Sequence, residues 1–258
     1  MKIRIKSAKN WHKRPVLSSM KMMGQFLLDR LIPFHCPLCD RVMQSRGLCQ
    51  SCWPKLHFIP RPICQSCGRP LVAASYIKKC ASCLSAPSPL ITHRRASLSY
   101  DEASKAILLP FKHADRLDYL PLITDIMMAD FLQMTQHHPL IIPIPLHRYR
   151  MVYRRFNQSA EIARLLCHKT KQTEYLRTNL LRRIKHTQPM GCHGPHKRAQ
   201  IINKAFALSQ DAQDSVKGQA VLLIDDVMTT GATMNEAAKC LKQAGASQID
   251  CLCLCRVL

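Results

Sequence analysis

The chain has 258 residues, with 38 Lys and Arg against 16 Asp and Glu, a formal net charge of +22 and fourteen cysteines. That length holds a full-sized core plus a smaller module, which excludes a small secreted disulfide scaffold. The charge favours a polyanionic partner, nucleic acid or an anionic membrane surface. No apolar run reaches the length of a membrane span, so no transmembrane segment is expected.

The first stretch, 1–33, reads as a basic arm and an amphipathic helix. Lys2, Arg4, Lys6, Lys9, Lys13 and Arg14 precede any acidic residue, and Met1–Pro15 is expected to be a mobile arm. Met20, Met23, Leu27 and Leu31 then recur at helical spacing, the pattern of a docking helix rather than a membrane anchor. Lys21, Asp29 and Arg30 interrupt it, which argues against a secretory leader. A cytoplasmic location is expected, with peripheral contact at the inner face of the membrane allowed.

Eight cysteines in 34–90 form four C-x-x-C pairs: Cys36 and Cys39, Cys49 and Cys52, Cys64 and Cys67, Cys80 and Cys83. Each pair supplies two corners of a tetrahedron, and two pairs close a zinc site. A lone pair could be a redox motif, whereas four within forty-eight residues point to Zn2+. The segment has few large apolar residues, so the metal would supply folding energy and be structural. Pairing of consecutive knuckles into two sites is favoured over an interleaved arrangement, which the spacing also permits. His35 and His57 are read as bystanders. Cys251, Cys253 and Cys255 alternate with leucines and read as buried small hydrophobes on one face of a strand.

In 91–258 apolar strands and helical stretches alternate, which predicts an α/β fold with a parallel sheet. "RRASLSY" reads as an edge strand, and "DEASKAILLPFKH" and "LDYLPLITDIMMADFLQMT" as helices. "PLIIPIPL" is an apolar run. "NQSAEIARLLCHKT" is a helix with Asn157 or Ser159 near its start. "AVLLIDDV" has the unbroken apolar run of a doubly buried strand and is expected to end at Asp225 and Asp226. A helix from about Met234 stops near Gly245, and "QIDCLCLCRVL" is a last strand.

The segment "VLLIDDVMTTGAT" is the sharpest chemical signal. Ligands of open parallel sheets bind outside the carboxyl ends of the strands, and a loop there that enters a helix offers N–H groups to an anion. Gly231 permits a close turn, and Thr229, Thr230 and Thr233 add hydroxyl donors. Neither a Walker A loop nor a G-x-G-x-x-G fingerprint is present.

This string resembles the phosphoribosyl-pyrophosphate motif of the type I phosphoribosyltransferases. The resemblance implies that Asp225 and Asp226 hold the ribose hydroxyls. It also implies that Val227, Met228, Thr229, Thr230, Gly231, Ala232 and Thr233 cradle the 5-phosphate, and that Mg2+ bridges pyrophosphate and ribose. A closer resemblance covers the chain from about Cys36 to the C-terminus. Four C-x-x-C pairs, then "IPIPLHRYRMVYRRFNQSAEIAR", "LLRRIKHTQ", "KRAQIINKAF" and "VLLIDDVMTTGAT", are similar to the ComF/GntX family of competence proteins. That resemblance implies a double zinc ribbon joined to a type I phosphoribosyltransferase-like domain, with a role in handling incoming single-stranded DNA during natural transformation. It places Lys112, His147, Arg148 and Arg154 near the pyrophosphate, and implies a DNA translocase motor and a strand-loading protein as partners. Arg155 stands where the family has Gly, Met190 where it has Gln and Ile201 where it has Asn. These departures touch nucleobase recognition and turnover, and leave the phosphate loop intact.

Arg94, Arg95, Arg148, Arg150, Arg154, Arg155, Arg182 and Arg183 are candidates for the DNA backbone. With 6% aromatic residues, binding is expected to be mostly electrostatic, Trp11 and Trp53 being the obvious stacking candidates. The alternative is a metabolic phosphoribosyltransferase that transfers ribose 5-phosphate to a small nitrogenous acceptor. Two zinc ribbons and this much charge argue against it. A regulator that binds the ligand without turnover is a third reading, and the sequence assigns neither an acceptor nor a catalytic residue.

Overall fold

A computed structural model describes residues 34–72, 78–85, 90–113, 116–147, 149, 151, 154–185, 200–209 and 212–258. The expected helix over Met20–Leu31 lies outside them, as do Trp11, Arg148, Arg150 and Met190.

The cysteine-rich stretch is built of turns, with one small sheet, β1 (Phe34–His35) paired antiparallel to β2 (Val42–Met43), and a short helix, α1 (Ala81–Ser85). Four strands follow that form one sheet: β3 (His93–Ser99), β4 (Leu140–Pro143), β7 (Ala220–Met228) and β8 (Gln248–Arg256). Their order is β3-β8-β7-β4 and every pairing is parallel. A separate antiparallel pair joins β5 (Leu181–Arg183) to β6 (Phe206–Leu208).

Helices cover both faces, as unbroken apolar strands require. On one face lie α2 (Glu102–His113), α3 (Leu120–Met134) and α4 (Gln158–Lys169). Their Phe111, Ile123, Met127, Phe131, Ile162 and Leu166 pack on Ile141, Leu222, Ile224 and Leu252. On the other face α6 (Ala232–Gln243) packs Met234, Ala237, Ala238 and Leu241 on Ile142, Val221, Leu223 and Ile249. A short helix, α5 (Ala212–Val216), precedes β7 and adds Val216 to that core. Burial alternates residue by residue along β7 between these two cores, so the expected doubly buried strand is present. Cys251, Cys253 and Cys255 are fully buried in β8, as small hydrophobes should be.

β3 is an edge strand, and the chain covers it. The segment between the second and third cysteine pairs runs antiparallel along it, with Phe58 bridged to Leu98, Ile59 N–H donating to Ser97 O at 3.0 Å and Ser99 N–H to His57 O at 2.9 Å. Backbone groups that would otherwise template another chain are thereby used internally. His57 Nδ1 meets Asp101 Oδ2 at 2.7 Å, and Arg61 reaches Asp130 at 3.1 Å, so polar side-chain contacts reinforce the pairing.

One boundary differs from the expectation. β7 does not stop at the acidic pair but runs on to Met228, because β8 continues beside it with Asp225 opposite Cys253 and Met228 opposite Arg256. On the other side β4 ends at Pro143, opposite Ile224, and Ile144 N–H makes a last bond to Ile224 O at 2.9 Å. Past Ile224 the strand is therefore paired on one side, and the vacated side forms a notch at the carboxyl edge of the sheet.

Candidate functional site

The notch is where Asp225 and Asp226 sit. Asp225 Oδ1 accepts the Asp226 N–H at 2.9 Å, which satisfies a strand amide that β4 no longer reaches. The same oxygen accepts from Ser159 Oγ at 2.9 Å. Ser159 is held there by Asn157, whose side chain caps α4 by accepting the Ser159 N–H at 3.1 Å while its Nδ2 donates to Ile144 O at 3.0 Å. Cap, strand end and acidic pair are thus one connected unit. Burial, and then the neighbouring Asp226 charge, push the Asp225 carboxyl up to about 7, against the hydrogen bonds that favour its ionised form.

Asp226 is paired differently. Lys112, on the last turn of α2, places Nζ 2.9 Å from Asp226 Oδ1, with 17% of the lysine and 13% of the aspartate side chain exposed. Gln158 Nε2 donates to Lys112 O at 3.4 Å, and Arg154 lies 3.5 Å from Gln158 Oε1. Lys112, Arg154 and the acidic pair therefore share one corner. Burial and the adjoining Arg154 and Lys112 charges lower the basicity of His113 there.

Thr229 and Thr230 are exposed, and Gly231 turns the chain into α6 at φ 76°, left-handed backbone that glycine adopts without strain. Gly231 at the N-cap offers no side chain, and Thr230 Oγ1 accepts from the Ala232 N–H at 3.4 Å. A small concavity lined by Asp225 and the run from Val227 to Met234 faces the helix start, the arrangement that favours an anion. His147 is buried, its Nδ1 3.3 Å from the Tyr149 N–H, and it borders a different, open cleft rather than this concavity.

The eight paired cysteines form two tetrads, Cys36/Cys39/Cys49/Cys52 and Cys64/Cys67/Cys80/Cys83, each with its ligand atoms within 4.8 Å of one another. Consecutive pairing is therefore the arrangement the chain adopts. Both are built alike. Cys36 N–H donates to Arg41 O and Asp40 N–H to Cys36 O, each at 2.9 Å, while Cys64 N–H donates to Arg69 O and Gly68 N–H to Cys64 O, each at 2.8 Å. Asp40 and Gly68 occupy the same left-handed corner, at φ 58° and 72°.

The donor set fits zinc. A Zn–S bond of about 2.3 Å in a tetrahedron requires sulfurs about 3.8 Å apart. Cys39 and Cys49 Sγ are 3.6 Å apart, and Cys67 and Cys80 Sγ 3.7 Å. The Ser51 hydroxyl and the other thiols hold Cys49 down to about 6. Against burial, the N–H groups of Cys67 and Cys80 do the same for Cys64. Each centre thus has a readily ionised thiol, while burial and the neighbouring thiols push Cys52 and Cys83 up to about 12. Among the described residues, Leu38, Met43 and Leu48 pack around the first tetrad, too little for an apolar core. His35 bonds to Asp40 and joins neither tetrad.

Three arginines fasten the second tetrad to the sheet, a feature the sequence reading missed. Arg95 donates to the carbonyls of Cys64 at 3.4 Å, Gln65 at 3.0 Å and Arg94 at 2.9 Å. Arg256, opposite Met228 in β8, donates to Cys67 O. Arg94 N–H donates to Ser66 O at 2.9 Å, and its guanidinium to Asn235 on α6 at 2.8 Å. Two DNA-backbone candidates, Arg94 and Arg95, are thus engaged inside the protein. Arg155 and Arg182 are exposed, and Arg154 and Arg183 are half-buried. Arg155 has φ 55°, the conformation for which a glycine is suited. Trp53 packs against Phe58 at 6.1 Å and keeps 45% of its surface exposed. Only the i+3 serine of the F-N-Q-S run could have marked Ser159 as a partner of the acidic pair, and nothing in the spacing marked the arginine fastening.

Residues 27–84 match the family model of the double zinc ribbon domain, and residues 171–258 that of the phosphoribosyl transferase domain. The chain is 27% identical to Competence protein F of Haemophilus influenzae, over 84% of this chain and 94% of that protein. It is 27% identical to Competence protein ComFC of Bacillus subtilis, over 77% of this chain and 79% of that protein. With DNA utilization protein YhgH of Escherichia coli O6:H1 it shares 26% identity, over 88% of this chain and 99% of that protein. The chain thus combines a double zinc ribbon with a phosphoribosyltransferase-like α/β domain, and its resemblance to the competence proteins extends over most of its length. Among the described residues, no helix is long and apolar enough to cross a membrane.

Proposed function

We propose that this chain, similar along most of its length to competence and DNA utilization proteins, is a DNA-uptake factor acting at the cytoplasmic side of the membrane. It binds single-stranded DNA and carries a phosphoribosyl-pyrophosphate site at the carboxyl edge of its sheet. Asp225 and Asp226 accept from the ribose hydroxyls, the loop Val227–Thr233 receives the 5-phosphate at the start of α6, and Lys112 and Arg154 stand toward the pyrophosphate. Mg2+, when bound with the ligand, would neutralise the pyrophosphate, for which a hard cation and oxygen donors are suited. Zinc in the two tetrads is structural.

The observation that carries this reading is the notch beyond Ile224. Two carboxylates are presented there, one braced by Ser159 and the other by Lys112, directly before an anion-accepting helix start. Two adjacent aspartates serve no packing purpose at a strand end, and holding Asp225 against its own desolvation has a use when a polyhydroxyl ligand takes up its hydrogen bonds. The positive charge of +22 supplies the long-range attraction for a nucleic-acid backbone. A DNA translocase and a strand-loading protein are the partners this role would require.

The test is the pair of variants Asp225→Asn and Asp226→Asn, measured for phosphoribosyl pyrophosphate with Mg2+ and, separately, for a single-stranded oligonucleotide. Loss of ligand binding with DNA affinity kept is the expected result. Unchanged ligand binding would remove the acidic pair from the site.

A further inference from the structure

A second concavity of about 650 Å3 opens between the segment after β4 and strand β5, and none of its described lining residues is acidic. One wall is Pro145, Leu146, His147 and Met151; the other includes Arg182, Arg183 and Ile184. Arg182 is exposed, and Arg183 is steadied by the Phe206 ring, 5.6 Å from its guanidinium carbon. Of the lining residues, Ile184 is 58% exposed and Met151 is exposed too, and Tyr149, beyond the lining, is 53% exposed. The Tyr149 ring rests on His147, a lining residue, at 5.2 Å, which puts it next to the cleft. A surface that combines exposed arginine with a flat, exposed aromatic and apolar rim is unusual for a soluble protein unless something covers it.

Resting on the DNA-binding reading above, the geometry points to this cleft as the seat of single-stranded nucleic acid, with Arg182 on a phosphate and Tyr149 stacked on a base. The chemistry selects that occupant in two ways. A cleft whose described lining carries two arginines and no acid attracts a polyanion, and a duplex, whose bases are already stacked, has no use for the exposed ring and apolar rim. Sequence reasoning placed stacking at Trp11 and Trp53; Tyr149 is the exposed aromatic that the structure sets against a residue lining this cleft.

The test uses the full zinc-loaded chain and a fluorescently labelled single-stranded oligonucleotide, titrated across a range of salt. Tyr149→Ala should weaken binding about tenfold at every salt concentration without changing the slope of log affinity against log salt. Tyr149→Phe, which keeps the ring, should restore it. Arg182→Ala should reduce the slope by about 0.7, the share of one phosphate contact on a single strand. Wild-type affinity and slope in both alanine variants would overturn the cleft while leaving the DNA-binding reading in place. A wild-type chain that binds no single strand at any salt would overturn both. A free mononucleotide whose binding depends on Tyr149, with oligonucleotide binding unaffected by the substitution, would also overturn it, by making the cleft a small-molecule site.

Discussion

Replacing Gly68 by alanine isolates how tightly the second zinc tetrad is docked on the sheet. Gly68 and Gly218 share the left-handed conformation, at φ 72° and 75°, so alanine at either position carries the same backbone penalty of about 1–2 kcal/mol. Their surroundings differ. A Cβ on Gly218 meets nothing within 4 Å, whereas one on Gly68 would overlap the Arg94 carbonyl, a backbone atom that cannot swing away. To clear it, the knuckle must lift from β3. That breaks the bond from Arg94 N–H to Ser66 O, a loss of about 1 kcal/mol, and weakens the charged bonds of Arg95 to Cys64 and Gln65. Gly68→Ala should therefore cost about 2–4 kcal/mol more than Gly218→Ala. Urea unfolding of the two zinc-loaded variants, followed by circular dichroism, reads that difference directly. Agreement within about 0.5 kcal/mol would refute the tight docking.

Three further outcomes follow from the same geometry. Asp225, whose carboxyl titrates near 7 in the fold against 3.8 in the open chain, keeps its proton in the native state between those values, so its ionisation costs stability as pH rises through about 7. Asp225→Asn, which still accepts from Ser159 and Asp226, should then gain in melting temperature relative to the parent at pH 8 compared with pH 5. A constant difference would contradict the desolvated carboxyl. Native mass spectrometry should find two zinc ions in the parent and one in Cys64→Ser, whereas two ions retained there would argue against independent tetrads. Arg155→Gly releases a side chain from left-handed backbone and should stabilise the fold by up to about 1 kcal/mol, checked by the same urea titration. A cost of similar size would mean that the contacts of Arg155 outweigh its strain.

Much of this architecture was legible because its causes are local. Unbroken apolar runs gave the buried strands, Asn157 marked the start of α4, and the spacing of four knuckles announced two metal tetrads. The end of β7 was not legible: whether a strand continues past an acidic pair depends on its neighbours, and β8 continues where β4 stops. Nor could charge alone tell Arg94 and Arg95 from Arg155 and Arg182. All four read as basic surface, yet the first two are turned inward by carbonyls more than twenty residues away in sequence. Lys112 was placed beside the site by resemblance. Its pairing with Asp226 is a property of the fold that no spacing marked. Tyr149 carried no sequence signal at all, since exposure is set by packing and not by residue type.

The central claim is that the notch beyond Ile224 binds a phosphoribosyl pyrophosphate ligand in a protein that also binds DNA. Calorimetric titration of the full zinc-loaded chain with phosphoribosyl pyrophosphate and Mg2+, with and without a saturating single-stranded oligonucleotide, tests it most directly. One ligand should bind per chain in both titrations, with heat that disappears when Asp225 and Asp226 are both changed to asparagine. Any difference between the two affinities measures the coupling of the sites. A chain that takes up no ligand in either titration, or whose double variant binds as well as the parent, would contradict the account.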